Sequence, residues 1–149
     1  MDGFYYQPEI EKMPRKELEA LQLERLKWTV KQALQSPFYS KLYGELGITP
    51  DTIQTLADLR KLPFTVKQDM RDNYPFGFLA VDKKELIRLH SSSGTTGNPT
   101  VICHTKHDID TWANRVARSF YMVGLRDTDV IQNSSGYGMF TGGLGFQYG

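Results

Sequence analysis

The chain has 149 residues, with 18 basic and 17 acidic side chains and a formal net charge of +1. That balance gives no reason to expect nucleic-acid or anionic-membrane binding. No apolar run approaches the roughly 20 residues that span a bilayer, and the start Met1-Asp2-Gly3-Phe4-Tyr5-Tyr6-Gln7 lacks the basic-then-apolar order of a signal peptide. Cys103 is the single cysteine, which excludes an internal disulfide and points to a reducing, cytoplasmic compartment.

In chain order, residues 14–35 read as a long helix, with Pro14 suited to a first helical position and Ser36-Pro37 as the stop. Leu23, Leu26, Val30, Ala33 and Leu34 form one apolar stripe. Leu18, Leu21 and Trp28 form a second on a roughly opposite side, which asks for two neighbours and hints at a partner surface such as a homodimer. Short helices are expected over residues 37–62, punctuated by Gly44, Gly47 and Pro50, the last of them over 52–62. Thr65-Val66-Lys67-Gln68 has capping-box form, so a short helix should start there and end at Asn73-Tyr74-Pro75-Phe76-Gly77.

Leu86-Ile87-Arg88-Leu89 and Val101-Ile102-Cys103 read as strands. Thr105-Lys106-His107-Asp108 is a second capping pattern. Beyond it Ile109, Trp112, Ala113, Val116, Ala117, Phe120 and Val123 line one face at helical spacing, with Gly124 as C-terminal cap. Val130-Ile131-Gln132-Asn133 reads as a further strand. Strand, helix, strand predicts a parallel α/β unit, with ligands beyond the carboxyl ends of the strands. The last residues, Leu144-Gly145-Phe146-Gln147-Tyr148-Gly149, stop inside a Gly- and aromatic-rich segment, which reads as a piece of a longer protein.

Between the first two strands lies the most informative stretch. Seven consecutive residues, 91–97, are Ser, Thr or Gly. Glycines let such a loop turn tightly and aim several amides inward, and the hydroxyls of Ser92, Ser93, Thr95 and Thr96 add short donors suited to polyphosphate oxygens. Each hydrogen bond to a charged group is worth about 1.5–3 kcal/mol. A flexible polar turn would show the same composition, but a slack linker seldom lies between two strands, and Pro99 stiffens the exit. The G-x-x-x-x-G-K-[ST] form is not met, because Asn98 follows Gly97 and a strand comes next.

Other residues carry less. His104, His107, Asp108 and Asp110 lack a recognised metal-ligand spacing. His90 reads as a packed neutral imidazole, and Cys103 as core rather than nucleophile. Six glycines among residues 136–149 suit a backbone close to a ligand, and equally a loose Gly-rich end.

Three segments together resemble the phenylacetate–coenzyme A ligase family of the adenylate-forming acyl-CoA synthetase superfamily. They are Ser92-Ser93-Gly94-Thr95-Thr96-Gly97-Asn98-Pro99-Thr100, the upstream Leu62-Pro63-Phe64-Thr65-Val66-Lys67-Gln68-Asp69-Met70-Arg71-Asp72-Asn73-Tyr74-Pro75-Phe76-Gly77, and Gly136-Tyr137-Gly138-Met139-Phe140-Thr141-Gly142-Gly143-Leu144-Gly145. The resemblance implies an α/β fold in which a helical N-terminal segment (1–61) precedes part of the large N-terminal domain of an adenylate-forming enzyme (62–149). The small C-terminal domain would lie outside the chain.

It also implies a reaction. An aryl-acetate carboxylate attacks the α-phosphate of ATP, pyrophosphate leaves, and the thiol of coenzyme A displaces AMP from the acyl-adenylate, with Mg²⁺ bridging phosphates. Ser92, Ser93, Gly94, Thr95, Thr96 and Gly97 would hold the ATP phosphates, and Ser135, Tyr137, Phe140 and Phe146 would face the aryl acid. Three departures stand out. Asn98 replaces a common Lys or Arg, Ser135 a Tyr, and Phe146 a small Ala. They weaken phosphate attraction and reshape the pocket, leaving indole-acetate or a hydroxylated phenylacetate open as substrates. No catalytic residue falls within the chain, so the isolated chain is expected to be inactive. The alternative is a non-catalytic truncated protein with a ligand-binding or assembly role.

Overall fold

The computed structural model describes residues 4–92, 99–137 and 141–149. Their helices are α1 (Pro8–Glu11), α2 (Arg15–Ala33), α3 (Pro37–Leu46), α4 (Lys67–Asp72), α5 (Lys106–Met122) and α6 (Thr141–Tyr148). The strands are β1 (Leu86–Ser91) and β2 (Val101–Thr105), and 3-10 turns occupy Pro50–Thr52, Leu56–Lys61 and Lys83–Glu85. These elements sort into two compact units. One holds residues 14–84 and 99–101, the other residues 4–13, 85–92, 102–137 and 141–149.

The first unit is built on α2, whose expected apolar stripe is realised. Val30 is buried and meets Tyr43, Ile48 and Ile53, with Leu23, Leu26, Ala33 and Leu34 packed against them. Trp28, in the second stripe, is 58% exposed. Ser36 caps α3 by accepting from the Tyr39 amide at 3.3 Å. The same helix ends where Gly47 takes φ +65° and the Ile48 amide bonds back to the Tyr43 carbonyl at 2.8 Å.

Two expectations fail here. The helix expected over 52–62 is two 3-10 turns, because Ile53 between them is extended and fully buried. The Thr49 amide donates to Thr52 Oγ1, and the Thr55 amide to Asp58 Oδ2, so local caps compete with a continuous helix. The box expected at Thr65 also moves by one residue. Thr65 Oγ1 pairs with the Tyr39 hydroxyl at 2.7 Å, and Asp69 Oδ2 instead accepts from the Val66 amide at 2.8 Å, so α4 begins at Lys67.

In the second unit, β1 and β2 form a two-stranded antiparallel sheet. Thr105 caps α5 as expected: Asp108 Oδ2 accepts from the Thr105 amide and hydroxyl at 2.8 Å each, and the Asp108 amide donates back to Thr105 Oγ1. At the other end Gly124 (φ +95°) allows the Leu125 amide to reach the Phe120 carbonyl at 3.0 Å. Arg118 ties α5 to α1 by donating to Gln7 Oε1 at 2.7 Å, with Glu11 3.9 Å away.

The mixed helix-and-sheet class stands, but the parallel unit does not form among the described residues. Residues 130–133 are outside the sheet. A strand needs a neighbour for its backbone groups, and β1 and β2 pair with each other. The Gly-rich end, in contrast, winds into α6 and packs on α5.

Candidate nucleotide and acyl site

β1 and β2 deliver the two ends of the Ser/Thr/Gly loop from one antiparallel ladder, so its entry and exit are held side by side. Ser92, directly after β1, is half-buried. Ser93, Gly94, Thr95, Thr96 and Gly97 lie outside the described residues, as does Phe140.

At the base of this loop stands a ring cluster. His90, near the end of β1, is buried with neither ring nitrogen hydrogen-bonded. Its ring centroid lies 4.8 Å from that of His104 on β2 and 5.4 Å from Trp112 on α5, while His104 stacks on Trp112 at 5.9 Å. Burial pushes the His90 pKa down, helped by His104 and Arg88. Burial also lowers that of His104, against the pull of Asp108. The expected neutral, packed imidazole is what the surroundings favour. Cys103 is half-buried and burial raises its pKa, which suits a structural thiol rather than a nucleophile.

The segment expected to face the aryl acid is organised by a residue that sequence reasoning placed in a strand. Asn133 Nδ2 donates to the Gly143 carbonyl at 2.9 Å and the Tyr137 hydroxyl at 3.2 Å, and its Oδ1 accepts from the Ser135 amide at 3.0 Å. Tyr137 in turn donates to Gln147 Oε1 at 2.8 Å. Ser135 and Tyr137 are thereby tied to α6. The signal for Asn133 was its position: an Asx side chain two residues before Ser135 can form a local turn.

Phe146 stacks on Phe120 with centroids 5.8 Å apart. It lines an open cavity of about 570 Å³ together with Tyr6, Phe120, Ile131, Asn133 and Gln147. Ser135 and Tyr137 are not among its described lining residues, so the structure splits the expected aryl-acid set. Phe146 faces the cavity, and Ser135 and Tyr137 join it only through Asn133 and Gln147. α6 can lie this close because Gly143 has no side chain: a Cβ there would sit 2.8 Å from the Gly136 carbonyl oxygen.

No family model matches the chain. It is 55% identical over 141 residues to a phenylacetate–coenzyme A ligase of Aromatoleum evansii, covering 94% of this chain and 32% of that protein. It is 53% identical over 134 residues to the phenylacetate–coenzyme A ligase of Escherichia coli, covering 89% and 31%. The chain thus spans about a third of the length of these relatives. Among solved structures, 2-hydroxyisobutyryl-CoA ligase with 2-HIB-AMP superposes with a TM-score of 0.88 at 28% identity, covering 99% of this chain and 32% of that one. The same enzyme with 2-HIB-AMP and CoA gives 0.89 at 29% identity, with the same coverage.

Proposed function

We propose that this chain, a sequence relative of the phenylacetate–coenzyme A ligases over about a third of their length, supplies the phosphate loop and the acyl segment of an ATP-dependent aryl-acetate–coenzyme A ligase. The carrying observation is identity of 50–55% across 86–97% of the chain. Paired strands at the loop's two ends and the Asn133-ordered segment support the assignment.

In this reading the amides and hydroxyls of residues 92–97 hold the β and γ phosphates and stabilise charge building on departing pyrophosphate. Ser135, Tyr137, Phe140 and Phe146 flank the aryl acid, whose carboxylate oxygen bonds to the α-phosphorus. The coenzyme A sulfur then bonds to the acyl carbon as AMP leaves. Among the described residues no group of three or more His, Cys, Asp or Glu side chains could hold a metal ion. Mg²⁺ would bridge the ATP phosphates and neutralise part of their charge. The cytoplasm is the compartment that fits this substrate set, and a homodimer through the exposed Trp28 side of α2 is part of the reading.

The 149 residues alone carry no catalytic residue and are expected to bind without turnover. Thermal shift with ATP and phenylacetate, beside an assay for AMP release with coenzyme A, tests this. Stabilisation without AMP supports the reading. Turnover by the chain alone overturns its inactivity, and no response to either ligand favours a non-catalytic assembly role.

A further inference from the structure

By composition α6 is a poor helix. Three of its eight residues are glycine, the least helix-prone residue after proline. Its last turn carries no basic side chain to meet the negative end of the helix dipole. Arg88 supplies that cation from another element. It lies on β1, 60 residues earlier in the chain, and its Nη2 donates to the Tyr148 hydroxyl at 2.8 Å. Its guanidinium carbon sits over the Tyr148 ring, 4.9 Å from the centroid. One arginine thus holds one tyrosine by both its hydroxyl and its ring face. Arg88 Nη1 is buried with no hydrogen-bond partner among the described residues. An unmet buried donor is a cost that the contact with Tyr148 helps to offset.

We propose that Arg88 is a positioning residue for the aryl acid: acting through Tyr148, it sets the last turn of α6, and with it Phe146 and Gln147. Only the identity of the ligand rests on the proposed function; the placement of α6 stands on its contacts. Gln147, next to Tyr148, accepts from the Tyr137 hydroxyl at 2.8 Å. Phe146, two residues before Tyr148, stacks on Phe120 and lines the cavity. Elsewhere α6 is held by its backbone. Asn133 Nδ2 donates to the Gly143 carbonyl at 2.9 Å, Gly145 lies against Trp112, and Gly149, just beyond the helix, lies against Val116. Glycine contacts set how close α6 comes to α5. They fix its rotation poorly, because a glycine has no side chain to interlock. The Arg88 hydrogen bond is directional and fixes that rotation at residue 148. A slip of α6 by one residue, about 100° about its axis, would carry Phe146 from the cavity and Gln147 from Tyr137.

The test is calorimetric titration of the 149-residue chain with phenylacetate and, separately, with ATP, beside residue-resolved amide exchange. Arg88→Met should weaken phenylacetate binding about tenfold and leave ATP affinity within about twofold. Tyr148→Phe keeps the ring, loses the hydroxyl, and should weaken phenylacetate about threefold. The double variant should lose no more than Arg88→Met alone, because the pair acts as a unit. Arg88→Lys keeps the charge without the planar fork and should recover part of the loss. Exchange at residues 145–148 should quicken about tenfold in Arg88→Met, while exchange at 112–116 of α5 holds. Arg60→Met, at an exposed position in the other unit, should change none of these. Additive losses, equal losses for phenylacetate and ATP, or unchanged exchange in α6 overturn the proposal. If the parent chain binds neither ligand while α6 exchange still responds to Arg88, the ligase reading fails, and the role of Arg88 toward an aryl acid fails with it.

Discussion

Gly145 presses its backbone against the Trp112 indole so closely that a Cβ added there would lie 2.5 Å from Cζ2. This contact docks α6 on α5, and through α6 it holds Tyr137 and Gln147 in place. Gly145→Ala should therefore cost about 1–3 kcal/mol and change the near-UV circular dichroism of Trp112. Gly44→Ala is the control. A Cβ at Gly44, within helical α3, meets nothing within 4 Å, so this variant should gain about 0.5–1 kcal/mol. Equal thermal stability for the two variants would refute the close-packing argument.

The His90–His104 pair predicts a pH dependence. Both rings have folded pKa values below the ordinary imidazole value, chiefly from burial. The folded state therefore prefers the neutral rings. Their contribution is fully present above the unfolded value of about 6.5 and is lost as pH falls below it toward the folded values. Denaturation midpoints should drop between about pH 8 and about pH 5, and His90→Phe should flatten part of that slope. An identical slope in the variant would show that other groups carry it.

Ile53 is the fully buried centre of the first unit, between its two 3-10 turns. Ile53→Ala should destabilise by about 2–5 kcal/mol. Ile53→Val should cost only about 0.5–1.5 kcal/mol. Urea unfolding monitored by far-UV circular dichroism distinguishes these values. Similar losses for both would mean the site collapses around the cavity.

Thr105 begins α5 and orients Asp108. Thr105→Ala removes the reciprocal hydroxyl contact and should cost about 0.5–2 kcal/mol. Thr105→Ser keeps the oxygen and should stay near wild type. The readout is amide exchange in the first turn of α5, which should accelerate only in the Ala variant.

Local chemistry made the capped helices legible. The Thr105–Asp108 spacing and the glycine at 124 act within a single turn, so neither depends on distant residues. The Val30 stripe was legible for the same reason, since helical periodicity reports one buried face. Residues 52–62 misled because burial of Ile53 outweighed helix pattern. The box at Thr65 misled because Tyr39, 26 residues away, claims its hydroxyl. α6 was hidden by its composition. Three of its eight residues are glycine, a poor helix former that close packing against Trp112 and Gly136 makes useful.

By itself the sequence determined the loop between two strands, the caps and the kinship to acyl-CoA ligases. Each rests on short-range hydrogen bonding or on residue identities in order. Only tertiary structure decided that Asn133 ties Ser135 and Tyr137 to α6, that Phe146 faces a cavity whose described lining lacks those two, and that, among the described residues, 130–133 lie outside the sheet. Those outcomes depend on which surfaces meet and on whether a neighbouring strand is present, and a linear pattern of side chains carries neither.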